Sequence, residues 1–133
     1  MFLAIDIGNT NITCAVFRDN IILEIFRLKT NINLTADEYH ILFKNILAAK
    51  KIDIEKIKKI GISSVVPLCD NLIFQAFKNY NLCVPKFIEY SPTLKLNVKI
   101  KIKEPWLLGA DRLVNAEYCA ENFPDKDVIV IDF

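Results

Sequence analysis

The stretch Phe2-Leu3-Ala4-Ile5-Asp6-Ile7-Gly8-Asn9-Thr10 begins as an apolar run and ends in an acidic turn. A nearly continuous apolar segment of this length reads as a strand buried on both faces. Residues 11–17 and 21–28 follow as two more strand candidates, separated by Gly8-Asn9-Thr10 and by Arg18-Asp19-Asn20. Loops this short permit antiparallel pairing, so the opening third predicts a three-stranded meander. An aspartate at the mouth of a buried strand, followed by glycine and by amide and hydroxyl side chains, is one way to hold a metal-bound nucleotide phosphate. The chain closes on Val128-Ile129-Val130-Ile131-Asp132-Phe133, which reads as the start of a second Asp-tipped strand. Two such strands suggest two lobes with a phosphate loop in each.

Downstream of the meander the pattern turns helical. Thr35 is a good N-cap, and Glu38 completes a capping box with it. Tyr39, Leu42, Phe43, Ile46 and Leu47 then form one apolar stripe, with His40 beside it as a surface or half-buried residue. Asp53 opens a short helical connector. Residues 60–66 read as a β-branched strand ended by Pro67, which suits a helix start. Cys69, Leu72, Ile73, Ala76, Phe77 and Tyr80 share one face of the helix that follows. Residues 83–88 are a short strand candidate and residues 95–102 an extended one. After Leu108-Gly109-Ala110-Asp111-Arg112 a last helix runs to about Phe123, with Leu113, Ala116, Ala120 and Phe123 on one side. The fold class expected is α/β, a mixed β-sheet with helices on its faces.

Composition bounds the function. The 133 residues suffice for one domain with a substantial core. A net charge of +1 makes no electrostatic case for nucleic acid or a membrane surface. The lysines of residues 95–103 alternate with apolar residues, as on the solvated face of a strand. Cys14, Cys69, Cys83 and Cys119 lie far apart without a CxxC pair, and His40 is the only histidine, so a structural zinc site is not expected. No apolar run approaches the ~20 residues of a membrane span, and no signal-peptide pattern opens the chain. These features set the expectation of a reduced, cytoplasmic, soluble protein.

In the first loop, Gly8 would let backbone N–H groups approach a phosphate, while Asn9 and Thr10 add side-chain donors. The loop joins strand to strand, so no helix dipole assists it, and no GxxxxGK[ST] sequence occurs. Taken alone, Asp-x-Gly-Asn-Thr also fits an ordinary tight hairpin. Three segments in order carry more weight: Asp6-Ile7-Gly8-Asn9-Thr10, Ile62-Ser63-Ser64-Val65-Val66-Pro67 and Gly109-Ala110-Asp111-Arg112. Together they resemble the type III pantothenate kinases, of the actin-like ATPase and sugar-kinase superfamily, whose lobes are ribonuclease-H-like. The resemblance runs from residue 1 to residue 133, and Asp132-Phe133 resembles the start of that family's second phosphate motif.

The resemblance implies ATP-dependent phosphorylation of pantothenate on its primary hydroxyl, the first step of coenzyme A biosynthesis. It implies Asp111 as the catalytic base, and Asp6-Ile7-Gly8-Asn9-Thr10-Asn11-Ile12-Thr13 as the ATP phosphate loop. Asp6 would position Mg2+ through phosphate or water, and Asp132 would hold a monovalent cation, K+ or NH4+. Gly109, Ala110, Asp111 and Arg112 would contact substrate, with Arg112 offering a planar fork to the pantothenate carboxylate or a polar amide. Read without the resemblance, Asp111 complements the helix dipole and Arg112 makes a surface ion pair. Ser63 and Ser64, ending a core strand, read as structural. One position departs from the family: Ile102 stands where a substrate-pocket tyrosine is usual. The family implies a homodimer, an N-terminal lobe at residues 1–127, and at 128–133 the first strand of a second lobe. A noncatalytic relative that binds nucleotide or partners is the alternative. A sugar kinase is a third reading, disfavoured by the Gly-Ala-Asp-Arg segment.

Overall fold

The computed structural model describes residues 1–131. Its sheet has five strands: β1 (Phe2–Ile7), β2 (Asn11–Arg18), β3 (Ile21–Lys29), β4 (Lys59–Ser64) and β5 (Lys86–Phe87), in the spatial order β3-β2-β1-β4-β5. The first three form the antiparallel meander, whereas β4 runs parallel to β1, and β5 parallel to β4. This is the ribonuclease-H-like, α/β arrangement expected. The β2–β3 turn is the two-residue loop Asp19-Asn20, with φ of 50° and 64°. Both residues sit in the left-handed region, as in a type I′ turn, which matches the twist of the flanking strands.

A parallel return from β3 to β4 requires a crossover, supplied by helix α1 (Ala36–Ala49). Its capping box forms as expected: Thr35 Oγ1 accepts from the Glu38 amide at 3.2 Å, and the Glu38 carboxylate accepts from the Thr35 amide at 2.7 Å. The Thr35 amide, together with the Thr35 hydroxyl donating to the same carboxylate at 2.9 Å, holds the Glu38 carboxyl below its usual range. Helix α2 (Pro67–Lys78) follows β4. Leu3, Ile5 and Ile7 of β1, Ile12, Cys14 and Val16 of β2, and Ile60 and Ile62 of β4 are buried in one core cluster with Tyr39, Phe43, Leu47, Cys69, Ile73 and Phe77 of the two helices. Both helices therefore cover a single face of the sheet. The strict alternation of β1 and β2 turns Phe2, Ala4 and Asp6, with Thr13, Ala15 and Phe17, to the opposite face. Helix α3 (Ala110–Asn122) packs there, burying Ala110 and Leu113.

Several sequence expectations are corrected. His40 is buried, not half-exposed: one ring nitrogen lies 3.0 Å from the Ala76 carbonyl, and the ring stacks on Tyr80 at 3.5 Å. Tyr80 is itself exposed, lying past the end of α2. Strand β4 ends at Ser64 because Ser64 Oγ takes the Val66 amide at 3.1 Å, turning the chain into α2. Residues 95–102 form no strand. The amides of Asn97 and Val98 donate instead to the Glu117 carboxylate on α3, at 2.9 and 3.1 Å, and these bonds hold Glu117 below its usual carboxylate range. The lysines of this segment are exposed, as expected, but from an irregular loop. On α3, only Leu113 of the expected apolar stripe is buried. Residues 128–131 enter no ladder with the described residues either, and Ile129 and Ile131 are exposed.

Candidate active site

Register assembles the site on the α3 face. Asp6 of β1 is paired with Thr13 of β2 on one side and with Ser63 of β4 on the other, so the three stand in a row across the sheet. The first turn of α3 brings Asp111 over the same row. A groove of about 520 Å³ results, lined by Asp6, Thr13, Ser63 and Asp111, with Asn115 one helical turn further on. Its floor is apolar, from Phe2, Ala4, Ala15 and Phe17. Two carboxylates thus face one groove from different elements. Cys14 lies on the core side of β2, where burial, with a smaller contribution from Asp6, pushes its thiol far up. A thiol so protonated is no nucleophile.

The loop joining β1 to β2 projects from the end of this row. Gly8 donates its N–H to the Asn11 carbonyl at 3.0 Å. Thr30 ties the loop to the end of β3: its hydroxyl donates to the Gly8 carbonyl at 2.6 Å and its amide to the Thr10 carbonyl at 3.0 Å. Gly8 has no positive φ, so conformational freedom is not what it supplies. Its constraint is space, since a Cβ would stand 3.3 Å from the Asn11 carbonyl oxygen. Asn9 and Thr10 are exposed at the tip, where their side chains can meet an anionic ligand. Asn11, Ile12 and Thr13 belong to β2, with Ile12 in the core.

At the start of α3, Gly109 is the N-cap and supplies no side-chain hydrogen bond to the first turn. Its missing Cβ has another use. A Cβ at Gly109 would overlap Asp111 Oδ1, so the carboxylate occupies the space that glycine leaves open. Asp111 Oδ1 is buried and has no hydrogen-bond partner among the described residues. A buried acceptor without a donor costs about 1–3 kcal/mol, and such groups concentrate at functional sites. The carboxylate also gains from the positive end of α3.

Asp6, Thr13 and Asp111 therefore share the groove with Ser63. Arg112 does not line it: the side chain is exposed and borders a neighbouring cavity with Asn115 and Ile131. Asn115, which borders both cavities, was not singled out from the sequence, although its spacing of four from Asp111 places it on the same helix face. Ile102 is exposed in the loop before α3. Asp132 lies outside the described residues. No group of three or more His, Cys, Asp and Glu side chains able to hold a metal occurs among the described residues. Mg2+ commonly keeps several waters and takes only one or two carboxylates plus substrate phosphates, a demand that Asp6 can meet. No helix among the described residues is long and apolar enough to cross a membrane.

Comparison with known proteins identifies the family. The family model described as type III pantothenate kinase matches residues 2–133. Type III pantothenate kinase of Desulfosudis oleivorans is 33% identical over 133 residues, covering 100% of this chain and 51% of that protein. The Ehrlichia canis protein of the same name is 35% identical over 131 residues, covering 98% of this chain and 49% of its own length. Type III pantothenate kinase 1 of Francisella tularensis subsp. holarctica is 36% identical, again over 100% and 51%. The chain spans about half the length of the curated relatives it matches. With a family match over residues 2–133, and with Asp6 of the first motif and Asp111 of the Gly-Ala-Asp-Arg segment lining one groove, the chain belongs to the type III pantothenate kinase family.

Proposed function

We propose that the protein containing this chain transfers the γ-phosphoryl group of ATP to the primary hydroxyl of pantothenate. The observation that carries the reading is the pair of carboxylates, Asp6 and Asp111, facing one groove beside the exposed Asn9-Thr10 loop tip. In the reaction the hydroxyl oxygen forms a bond to the γ-phosphorus and the bond to the β,γ-bridging oxygen breaks. The hydroxyl proton passes to Asp111, and ADP leaves. Asp111 has an unpaired acceptor for that proton, and Gly109 keeps it in place. Asp6 sits at the loop end of the groove, where a carboxylate can take the water shell of Mg2+; the ion, when bound, screens the phosphate charges. Asn9 and Thr10 would donate to the phosphates, and Arg112 to the pantothenate carboxylate from the adjoining cavity.

In this reading residues 1–127 form the lobe that carries the phosphate loop and the base. Residues 128–133 begin a second lobe, with Asp132 as ligand of K+ or NH4+, and the working enzyme is a cytoplasmic homodimer. The isolated 133-residue chain should then show no useful turnover. The test is ADP release dependent on both ATP and pantothenate, with K+ or NH4+ present, by the natural gene product that contains this chain. Nucleotide binding without pantothenate-dependent release would sink the kinase reading in favour of a noncatalytic relative.

Gly109 offers an internal check. Gly109→Ala places a methyl where Asp111 Oδ1 now lies, so the carboxylate must swing away. A displacement of about 1 Å at a reacting group costs roughly 10²-fold in rate. We expect kcat to fall by about that factor in the coupled assay, with the melting temperature nearly unchanged. An unaltered kcat would show that the observed placement of Asp111 is not the productive one.

A further inference from the structure

Ser63 is a groove residue to which the reaction above gives no task. The residue is 7% exposed, and its Oγ has no hydrogen-bond partner among the described residues. Its neighbour Ser64 shows what a structural serine does at this strand end: Oγ donates to the Asp70 carboxylate at 2.5 Å and accepts the Val66 amide at 3.1 Å. Ser63 makes no such bond and lines the groove instead, directly beside Asp6 in the parallel register. Among the described residues Asp111 Oδ1 is the other buried, unpartnered side-chain atom, and Asp111 lines the same groove.

The two orphans are chemically complementary. A serine hydroxyl has a proton to donate, and a carboxylate only accepts. An alcohol satisfies both together, because its O–H donates to the carboxylate while its oxygen accepts from the serine. Leaving both groups buried and unpaired is costly, so a ligand that pairs them recovers that cost on binding. We propose that Ser63 is a substrate-positioning residue that donates a hydrogen bond to the acceptor alcohol whose proton Asp111 takes. Two bonds fix the oxygen where one would let it swing about Asp111, and the orientation of the nucleophile toward the phosphoryl group follows. The inference rests on the kinase reading above.

Ser63→Ala in the natural gene product tests it. Removing an unsatisfied buried hydroxyl relieves its desolvation cost, so the ligand-free variant should melt about 3 °C above the parent. Its kcat/KM for pantothenate should fall roughly 10–100-fold. Calorimetric affinity for pantothenate should fall likewise, while affinity for the analogue with hydrogen in place of the primary hydroxyl stays the same, because that analogue offers no oxygen to Ser63. A lower melting temperature with unchanged kcat/KM would make Ser63 structural and overturn the inference while leaving the kinase reading intact. Equal losses for pantothenate and the deoxy analogue would also overturn it, by exposing a packing effect. A parent protein that neither binds nor phosphorylates pantothenate would remove the kinase reading, and the role of Ser63 with it.

Discussion

Asp111→Asn is expected to cut phosphoryl transfer by roughly 10²–10⁴-fold, the range a positioned general base contributes. The amide keeps the shape of the carboxylate and an oxygen at the Oδ1 position, so the space beside Gly109 remains filled. What it loses is the capacity to take a proton. Folding should hardly change. The variant gives up an interaction of about 0.3–1 kcal/mol with the positive end of α3. It also removes a charge whose buried oxygen has no donor, which offsets that loss. Turnover and thermal melting measured on one preparation separate the two effects. Retained turnover would take Asp111 out of the mechanism, and a collapse in melting temperature would make it structural.

Phe43→Ala should destabilise the domain by about 3–5 kcal/mol, as truncation of a buried aromatic does. Phe43 is fully buried in the middle of α1. Its ring packs against Phe77 of α2 at 5.0 Å, Phe26 of β3 at 6.3 Å edge-on, and Tyr39 at 6.5 Å. One ring therefore joins both helices to the meander, and its loss leaves a void that none of the three neighbours can fill alone. For a domain with a typical total of 5–15 kcal/mol, this is a large share of the stability. Urea unfolding followed by far-UV circular dichroism gives the number. A loss below about 1 kcal/mol would mean that the two helices do not depend on this contact to stay on the sheet.

Much of the fold was legible because its signals are local. The capping box at Thr35, the apolar period of α1 and α2 and the short turns of the meander each act over a few residues. The sequence reading failed where a longer-range partner decided the outcome. Residues 95–102 alternate like a strand, yet Glu117 on α3 takes the Asn97 and Val98 amides that a ladder would need. His40 reads as surface or half-buried because nothing in its own helix shows that Tyr80 will stack on it and the Ala76 carbonyl will meet its ring nitrogen. Residues 128–131 have strand composition but pair with no strand among the described residues, and hydrogen bonds to a neighbour are what make a strand.

The site divides in the same way. From residue types and their order alone, the acid-tipped first strand, its Gly8-Asn9-Thr10 loop and the Gly109-Ala110-Asp111-Arg112 segment pointed to phosphate chemistry and to the family. Each of those features is a short run of chain that carries its chemistry with it. The tertiary structure decided which of them meet. Pairing β4 in parallel beside β1 set Ser63 next to Asp6, and packing α3 across that face placed Asp111 over both while leaving Arg112 outside. Ser63, read from its strand as structural, became a groove residue only through register and burial. Both are properties of the assembled sheet, and no run of neighbouring residues encodes them.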